Sequence, residues 1–260
     1  MQDVSNVYRQ LMEKPHWAEV SVAIGESSRL ITKQGEAITF GGVAILTGSA
    51  GGEGGYRENM LKSVKTSHSV FSGDMPGVGN CVAGTITVEM RVPLSEIPKR
   101  ARIVPFVRLT DGETHSEWLQ KGVFYLDKRE KLNPDSAFPT LSLTGYDAML
   151  LAEKDYPPET AHDWPATDRL VVQEIASYLK LNIDSRTWDV LNKNYPIQYP
   201  SGYSCREVLG YIGAMYGANW LMTDLGELRM LTLNGIPPET RYLVTNTGYS
   251  ITFGGVRILV

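Results

Sequence analysis

Between residues 85 and 92 apolar and polar side chains alternate without a break: Ile86, Val88 and Met90 against Thr85, Thr87, Glu89 and Arg91. A period of two marks a strand with one face buried. Residues 17–24 alternate less perfectly and read as a first strand. The turn Gly25-Glu26-Ser27-Ser28 and a return strand at 29–32 then complete a hairpin at the edge of a barrel. Residues 103–109 are β-branched and aromatic and run into Asp111-Gly112, a strong turn signal; 118–126 and 141–143 give two more strands. Up to about residue 131 the pattern predicts five or six strands and little helix, a β-barrel or sandwich.

The period lengthens to that of a helix in four places. Val4, Val7, Tyr8 and Leu11 predict a short N-terminal helix that Pro15 closes. Val171, Val172, Ile175, Ala176 and Leu179 predict a second over 168–179, with Thr167 as its cap. Ser204-Cys205-Arg206-Glu207 matches the S-x-x-E capping box of a third. Val208, Leu209, Ile212, Met215 and Tyr216 carry its apolar face, and Gly217 stands at the expected stop. Thr144 sits where an N-cap would precede a helix over 146–152. Residues 154–167 are proline-rich and extended, 182–197 are short strand or coil, and 218–222 and 227–231 flank Asp224-Leu225-Gly226 as a hairpin.

Two further stretches stand out. Ile38-Thr39-Phe40-Gly41-Gly42-Val43 recurs as Ile251-Thr252-Phe253-Gly254-Gly255-Val256, each followed one residue later by Ile-Leu. The repeat has two readings, a duplication of related barrel modules or the same strand–Gly-Gly–strand kink reached independently. Residues 47–56 are glycine-dense and have no hydrophobic period, and the polar run 57–70 behind them extends the same loop. A loop of that length reads either as an assembly segment or as a solvated connection without a partner.

Composition narrows the function classes. The 260 residues are 42% hydrophobic and 21% charged, ordinary globular values with room for about two domains of ~100–150 residues. A net charge of −4 carries no global signature of nucleic-acid binding. Cys81 and Cys205 lack C-x-x-C spacing and read as reduced, part-buried thiols of a reducing, aqueous compartment. No apolar run approaches the ~18–20 residues of a membrane span, and no secretory leader pattern opens the chain.

The chemistry-bearing residues assemble into no known motif. His115-x-Glu117 and His162-Asp163 are close His/acid pairs, H-E-x-x-H is absent, and a loop histidine after the Asp111-Gly112 turn is the ordinary reading of His115. Gly202-Tyr203-Ser204-Cys205-Arg206 departs from a nucleophile elbow because Arg206 occupies the second glycine position, so Ser204 reads as an N-cap. Cys205, at the helix start, has no histidine partner indicated by the sequence. Residues 48–55 lack the Lys-Ser/Thr of a Walker loop, and Asp111, Glu113 and Glu117 cluster on a turn as solvated carboxylates do. We therefore expect no catalytic, cofactor-binding or metal residue and no cofactor. Aromatic residues crowd the second half: Tyr146, Tyr156, Trp164, Tyr178, Trp188, Tyr195, Tyr199, Tyr203, Tyr211, Tyr216 and Trp220. They fit a subunit interface, a core of large side chains, or a sugar platform.

The outgoing strand 103–109, the return strand at Gly122-Val123-Phe124-Tyr125 and the junction Thr144-Gly145-Tyr146-Asp147-Ala148-Met149 together resemble the bacteriophage tail hub and baseplate hub proteins, the N-terminal hub region of tail-associated-lysin-like tip proteins. The helix ending in Gly217-Ala218-Asn219-Trp220 and feeding a hairpin resembles them too, so the matching segments run from about Gly77 to Leu231. The resemblance implies a mostly β, α+β chain: a tube-type β-barrel over 1–131, a mixed insertion domain over 132–204, and a helix, hairpin and second barrel-like module over 205–260. It implies a structural, non-enzymatic homotrimer forming a pseudo-six-fold ring in the virion, assembled in the bacterial host cytoplasm. Its expected neighbours are the tail tube or distal tail protein, the tape-measure protein and the tip or spike proteins, with DNA only passing through the lumen. The chain stops on a strand at Val260, which leaves a second barrel short and no room for a hydrolase domain. A carbohydrate-binding host-recognition module and a cell-wall hydrolase-associated domain are the alternatives.

Overall fold

The computed structural model describes residues 4–25, 55–57, 59–91, 97–133, 139–158 and 163–233, together with the backbone of six two-residue strands at 28–29, 39–40, 43–44, 46–47, 252–253 and 256–257. Ser5 caps the first helix, α1 (Asn6–Met12), by accepting from the Tyr8 amide, and Leu11 is the one residue of α1 buried below. β1 (Trp17–Ile24) follows. β2 (Ser28–Arg29) pairs with β5 (Leu46–Thr47), and β3 (Thr39–Phe40) with β4 (Val43–Ala44). Of the predicted return strand over 29–32, Arg29 pairs with Leu46 rather than with β1, and residues 30–32 lie outside the described residues.

The remaining strands of the first half build one sheet. β6 (Leu61–Ser67), β7 (Thr85–Met90), β8 (Arg102–Thr110), β9 (Leu119–Gln120), β10 (Phe124–Leu132) and β11 (Thr140–Asp147) join β1 in the order β1-β8-β10-β11-β7-β6, with β9 against β8. Every ladder is antiparallel. Their inward side chains form one cluster: Val22 from β1, Ile86, Val88 and Met90 from β7, Ile103 from β8, Phe124 and Leu126 from β10, Leu141 and Leu143 from β11, with Leu61 and Val64 of β6 packed against it. A sheet whose first and last strands both contribute to one core curves around it.

The fold class is as predicted, mostly β with α+β, but among the described residues the hydrogen-bonded ladders do not close a barrel. The edge strand β1 meets the segment ahead of β6 at an isolated bridge, where Val22 and Tyr56 exchange both backbone hydrogen bonds at 2.9 and 2.8 Å. Beyond it the chain turns, with the Leu61 amide bonded to the Arg57 carbonyl, and β6 begins.

The polar run predicted to extend the glycine loop is therefore a strand. A β-bulge between Leu61 and Ser63 explains the misreading: Lys62 is the extra residue, so Leu61 and Val64 share the inner face although three positions separate them. Residues 48–54 of the glycine-dense loop lie outside the described residues.

The second predicted exception is at the 144–152 junction. β11 continues through Thr144 to Asp147, and Asp147, rather than Thr144, caps a 3-10 helix at Ala148–Glu153 through the Met149 amide. The strand wins because Leu141, Leu143 and Gly145 complete the inward face between β10 and β7.

A second core gathers the rest. β12 (Ala166–Thr167) pairs with β14 (Pro196–Ile197), and β13 (Asn182–Ile183) runs parallel to β16 (Glu227–Thr232), which pairs with β15 (Ala218–Met222). α2 (Asp168–Leu179) contributes Val171, Val172, Ile175 and Leu179, α4 (Cys205–Met215) contributes Val208, Leu209 and Ile212, and Trp220 lies fully buried among them. The short α3 (Thr187–Val190) leads into the buried Leu191 of the same core. Thr167 caps α2 and the Ser204/Glu207 capping box opens α4, both as predicted. Gly217, at φ 62°, follows the C-cap residue Tyr216.

The two copies of the repeated segment adopt one pairing. Phe40 opposes Val43 and Thr39 opposes Ala44, and β17 (Thr252–Phe253) meets β18 (Val256–Arg257) with Phe253 opposite Val256 and Thr252 opposite Arg257. The remaining residues of the predicted second barrel beyond 233 lie outside the described residues.

Candidate functional site

The connection between β6 and β7, residues 68–84, leaves the sheet and lies against the second core. Asn219, fully buried on β15, holds it there. Its Oδ1 accepts from the Asn80 amide at 2.8 Å, and its Nδ2 donates to the carbonyls of Val70 at 3.0 Å and Gly77 at 2.8 Å. Backbone bonds reinforce the clamp, from the Trp220 amide to Asn80 O at 2.8 Å and from the Gly79 amide to Ala218 O at 2.9 Å. A buried amide with each polar atom satisfied fixes one arrangement of the groups around it.

The clamp brings the connection onto α4. Gly79 and Gly210 touch backbone to backbone: a Cβ on Gly79 would stand 2.6 Å from Gly210 O, and one on Gly210 2.8 Å from Gly79 O. Between them runs an open groove of about 600 Å³, bounded by Ser72, Val78 and Asn80 on one side and by Arg206, Tyr211 and Ala214 on the other.

Exposed aromatic and apolar side chains stand at and beside this mixed lining. Tyr211 is 58% exposed and meets the ring of Tyr203, 43% exposed, edge-on at 5.5 Å. Val78 and Met215 are exposed as well, and Met75 of the same connection is 82% exposed.

Charge at the groove is organised rather than reactive. Arg206 pairs with Glu153 at 2.7 Å and donates to the Met149 carbonyl at 3.0 Å, tying α4 to the 3-10 helix. Glu207 is held below the usual carboxylate range by the Ser204 amide and hydroxyl. The Ser204 hydroxyl donates to Glu207 and accepts from its amide, so it serves as a cap, as predicted. Burial pushes the Cys205 thiol up to about 11 and the Cys81 thiol up to about 12, overriding a backbone hydrogen bond and the Lys154 charge at Cys205 and the Arg206 charge near Cys81. Both are buried free thiols.

Asp147 sits where sheet and second core meet. Burial raises its carboxyl, against two hydrogen bonds from the Gly84 amide at 2.7 Å and the Met149 amide at 3.0 Å and the nearby His68 and Arg206 charges.

The remaining weighed residues are dispersed. Glu117 accepts from the amide and hydroxyl of Ser5, which hold it below the usual range although burial acts the other way. His115 Nδ1 lies 3.9 Å from Glu19, not beside Glu117. Asp111 accepts the amides of Thr114 and Glu113 in its turn, and these bonds lower its carboxyl. His162 lies outside the described residues. Among the described residues no three His, Cys, Asp or Glu side chains converge as metal ligands would, and no helix is long and apolar enough to cross a membrane.

The aromatic residues divide between core and surface. Trp220 and Tyr156 are buried, and Trp220 Nε1 donates to Leu209 O at 2.7 Å. Trp164 and Tyr199 pack edge-on against Tyr156 and each other. Tyr195 and Tyr216 form a second edge-on pair, with the Tyr216 hydroxyl donating to the buried Asp168 at 2.6 Å. Tyr203 and Tyr211 form an exposed pair, Tyr211 at the groove, and Tyr178 and Tyr199 are exposed as well. Asn219 escaped sequence reasoning; its one signal was a polar residue inside an otherwise apolar strand.

No protein-family model matches the chain, and no curated protein does. Among solved structures the chain is similar to the 43 kDa tail protein of prophage MuSo2 from Shewanella oneidensis, with 12% identity and a TM-score of 0.47 over 91% of this chain and 57% of that one. It is similar to the tail protein from Neisseria meningitidis MC58 with the same identity and TM-score of 12% and 0.47, over 90% of this chain and 59% of the other. The chain thus spans less than two thirds of either structure's length.

Proposed function

We propose that this chain is a structural, non-enzymatic component of a bacteriophage tail that works by assembling with copies of itself. The observation that carries the reading is the groove beside α4: Val78 and Tyr211 line it, Tyr203 packs on Tyr211, Met215 follows Tyr211 one turn along the helix, and all four are exposed on a surface held by the Asn219 clamp. Exposed aromatic and methionine side chains on a rigid, concave support have the composition of an interface core. The order of segments that resembles tail hub proteins supplies the type of assembly: a trimeric ring, pseudo-six-fold, joining the tail tube or distal tail protein to tip or spike proteins in the virion. Its lumen passes the tape-measure protein and DNA, which the net charge of −4 does not retain.

Negative-stain electron microscopy of the purified chain tests this. Rings with a central lumen are expected, and Tyr211→Glu, which places a charge on the rim, should yield isolated particles. Isolated particles of the unaltered chain at every concentration would remove the proposal.

A further inference from the structure

The 68–84 connection offers the groove backbone as well as side chains. It meets β15 at one parallel bridge, with Cys81 opposite Trp220, and the Trp220 amide donates to the Asn80 carbonyl at 2.8 Å. In a parallel bridge the residues flanking the bridging one make the bonds, so the N–H and C=O of Cys81 itself point away from β15. Val82 and Ala83 follow it along the groove, with Arg206, Gly210 and Tyr211 of α4 on the other side.

This stretch of backbone is unpaired. Among the described residues no hydrogen bond reaches the amide or carbonyl of Cys81, or those of Ala83. Cys81 is nevertheless only 7% exposed. Backbone groups so far from solvent are almost always paired in native proteins. The neighbouring residues obey that rule: the Gly79 amide is bonded to Ala218 O, Asn80 to Asn219 Oδ1 and Gly84 to Asp147 Oδ2. An extended chain lying along 81–83 would satisfy what they leave open.

Charge narrows the occupant. Arg206 is engaged by Glu153 and the Met149 carbonyl. Glu207 uses Oε2 for the Ser204 amide and hydroxyl, and among the described residues its Oε1 has no partner. The chain carries a strand that fits. β6 ends the sheet order and pairs with β7 alone, so its other edge is open. Val64 faces the core, which turns the exposed Lys65 outward, and Lys65 has no ion pair among the described residues.

We propose that β6 of a neighbouring copy adds as a strand along residues 81–83, bonding the Cys81 amide and carbonyl and setting Lys65 against Glu207. The inference rests on the self-assembly reading and gives it a mode. Edge and groove lie on different parts of the chain, so the contact is head-to-tail, as a cyclic ring requires.

Hydrogen exchange resolved at single amides tests this, comparing the unaltered chain when assembled and after dilution to single chains. The Cys81 amide should slow by about tenfold or more on assembly, and by more than Gly79 and Asn80, which are bonded already. Lys65→Gln and Glu207→Gln, the second of which keeps the capping box, should each weaken assembly by about threefold, and the double variant no further than either alone. An assembled chain whose Cys81 amide exchanges as fast as in single chains, or independent losses that multiply in the double variant, would overturn the strand addition while leaving self-assembly standing. A chain that stays single at every concentration would overturn both.

Discussion

Replacing Asn219 with leucine removes the clamp while nearly conserving volume. Three hydrogen bonds of 2.8–3.0 Å are lost, to Asn80, Val70 and Gly77. At about 1 kcal/mol net each, the cost is about 3 kcal/mol, and it rises where the abandoned groups of the 68–84 connection stay dry. For a chain of this size that corresponds to a fall of roughly 6–12 °C in melting temperature. The loss should be local first. Hydrogen exchange at the Gly79 and Asn80 amides should quicken well before that at Val88 or Leu143 in the sheet, because only the connection loses partners. Thermal melts with exchange mass spectrometry measure both. A destabilisation under about 1 kcal/mol, with Gly79 and Asn80 as protected as before, would refute the idea that this amide holds the connection.

Other consequences are equally concrete. Gly79→Ala meets Gly210 O at 2.6 Å and takes φ of 75°, whereas Gly202→Ala, at φ 79°, enters open space. Denaturant melts should show the second costing about 1–2 kcal/mol and the first clearly more. The Asp147 carboxyl is raised in the fold, so as pH climbs through the ordinary carboxylate range the unfolded chain loses its proton first and stability falls. Asp147→Asn should therefore gain on the parent chain as pH rises above 3.8, the ordinary value for aspartate, read from denaturant midpoints; a constant difference would contradict the burial argument. Cys81 and Cys205, with thiols raised to about 12 and about 11, should resist a thiol reagent in the native chain at pH near 8 and react at once on unfolding, followed by absorbance.

Local signals in the sequence were good guides wherever local physics decided the outcome. Thr167, Ser204, Glu207 and Gly217 mark their helix ends because capping is a contract between residues a few positions apart. The alternation of β7 and the hairpin of β15 and β16 were legible for the same reason.

Distance in sequence hid the rest. β1 pairs with β8, not with its neighbour in the chain, and Trp17 meets Thr110. A bulge at Lys62 disguised β6, and long-range pairing on both sides kept Thr144 in β11 against its capping tendency. The groove was foreshadowed only as an excess of aromatic residues. Which of them stay outside depended on how α4 and the 68–84 connection meet, and Asn219 and the paired Gly79 and Gly210 decide that.

Self-assembly is the claim on which the functional reading stands, and mass in solution addresses it most directly. Light scattering on a size-exclusion column across a tenfold dilution should give a species near three times the 28.8 kDa chain, lost on Tyr211→Glu. A mass of one chain at every concentration would contradict self-assembly through the α4 groove.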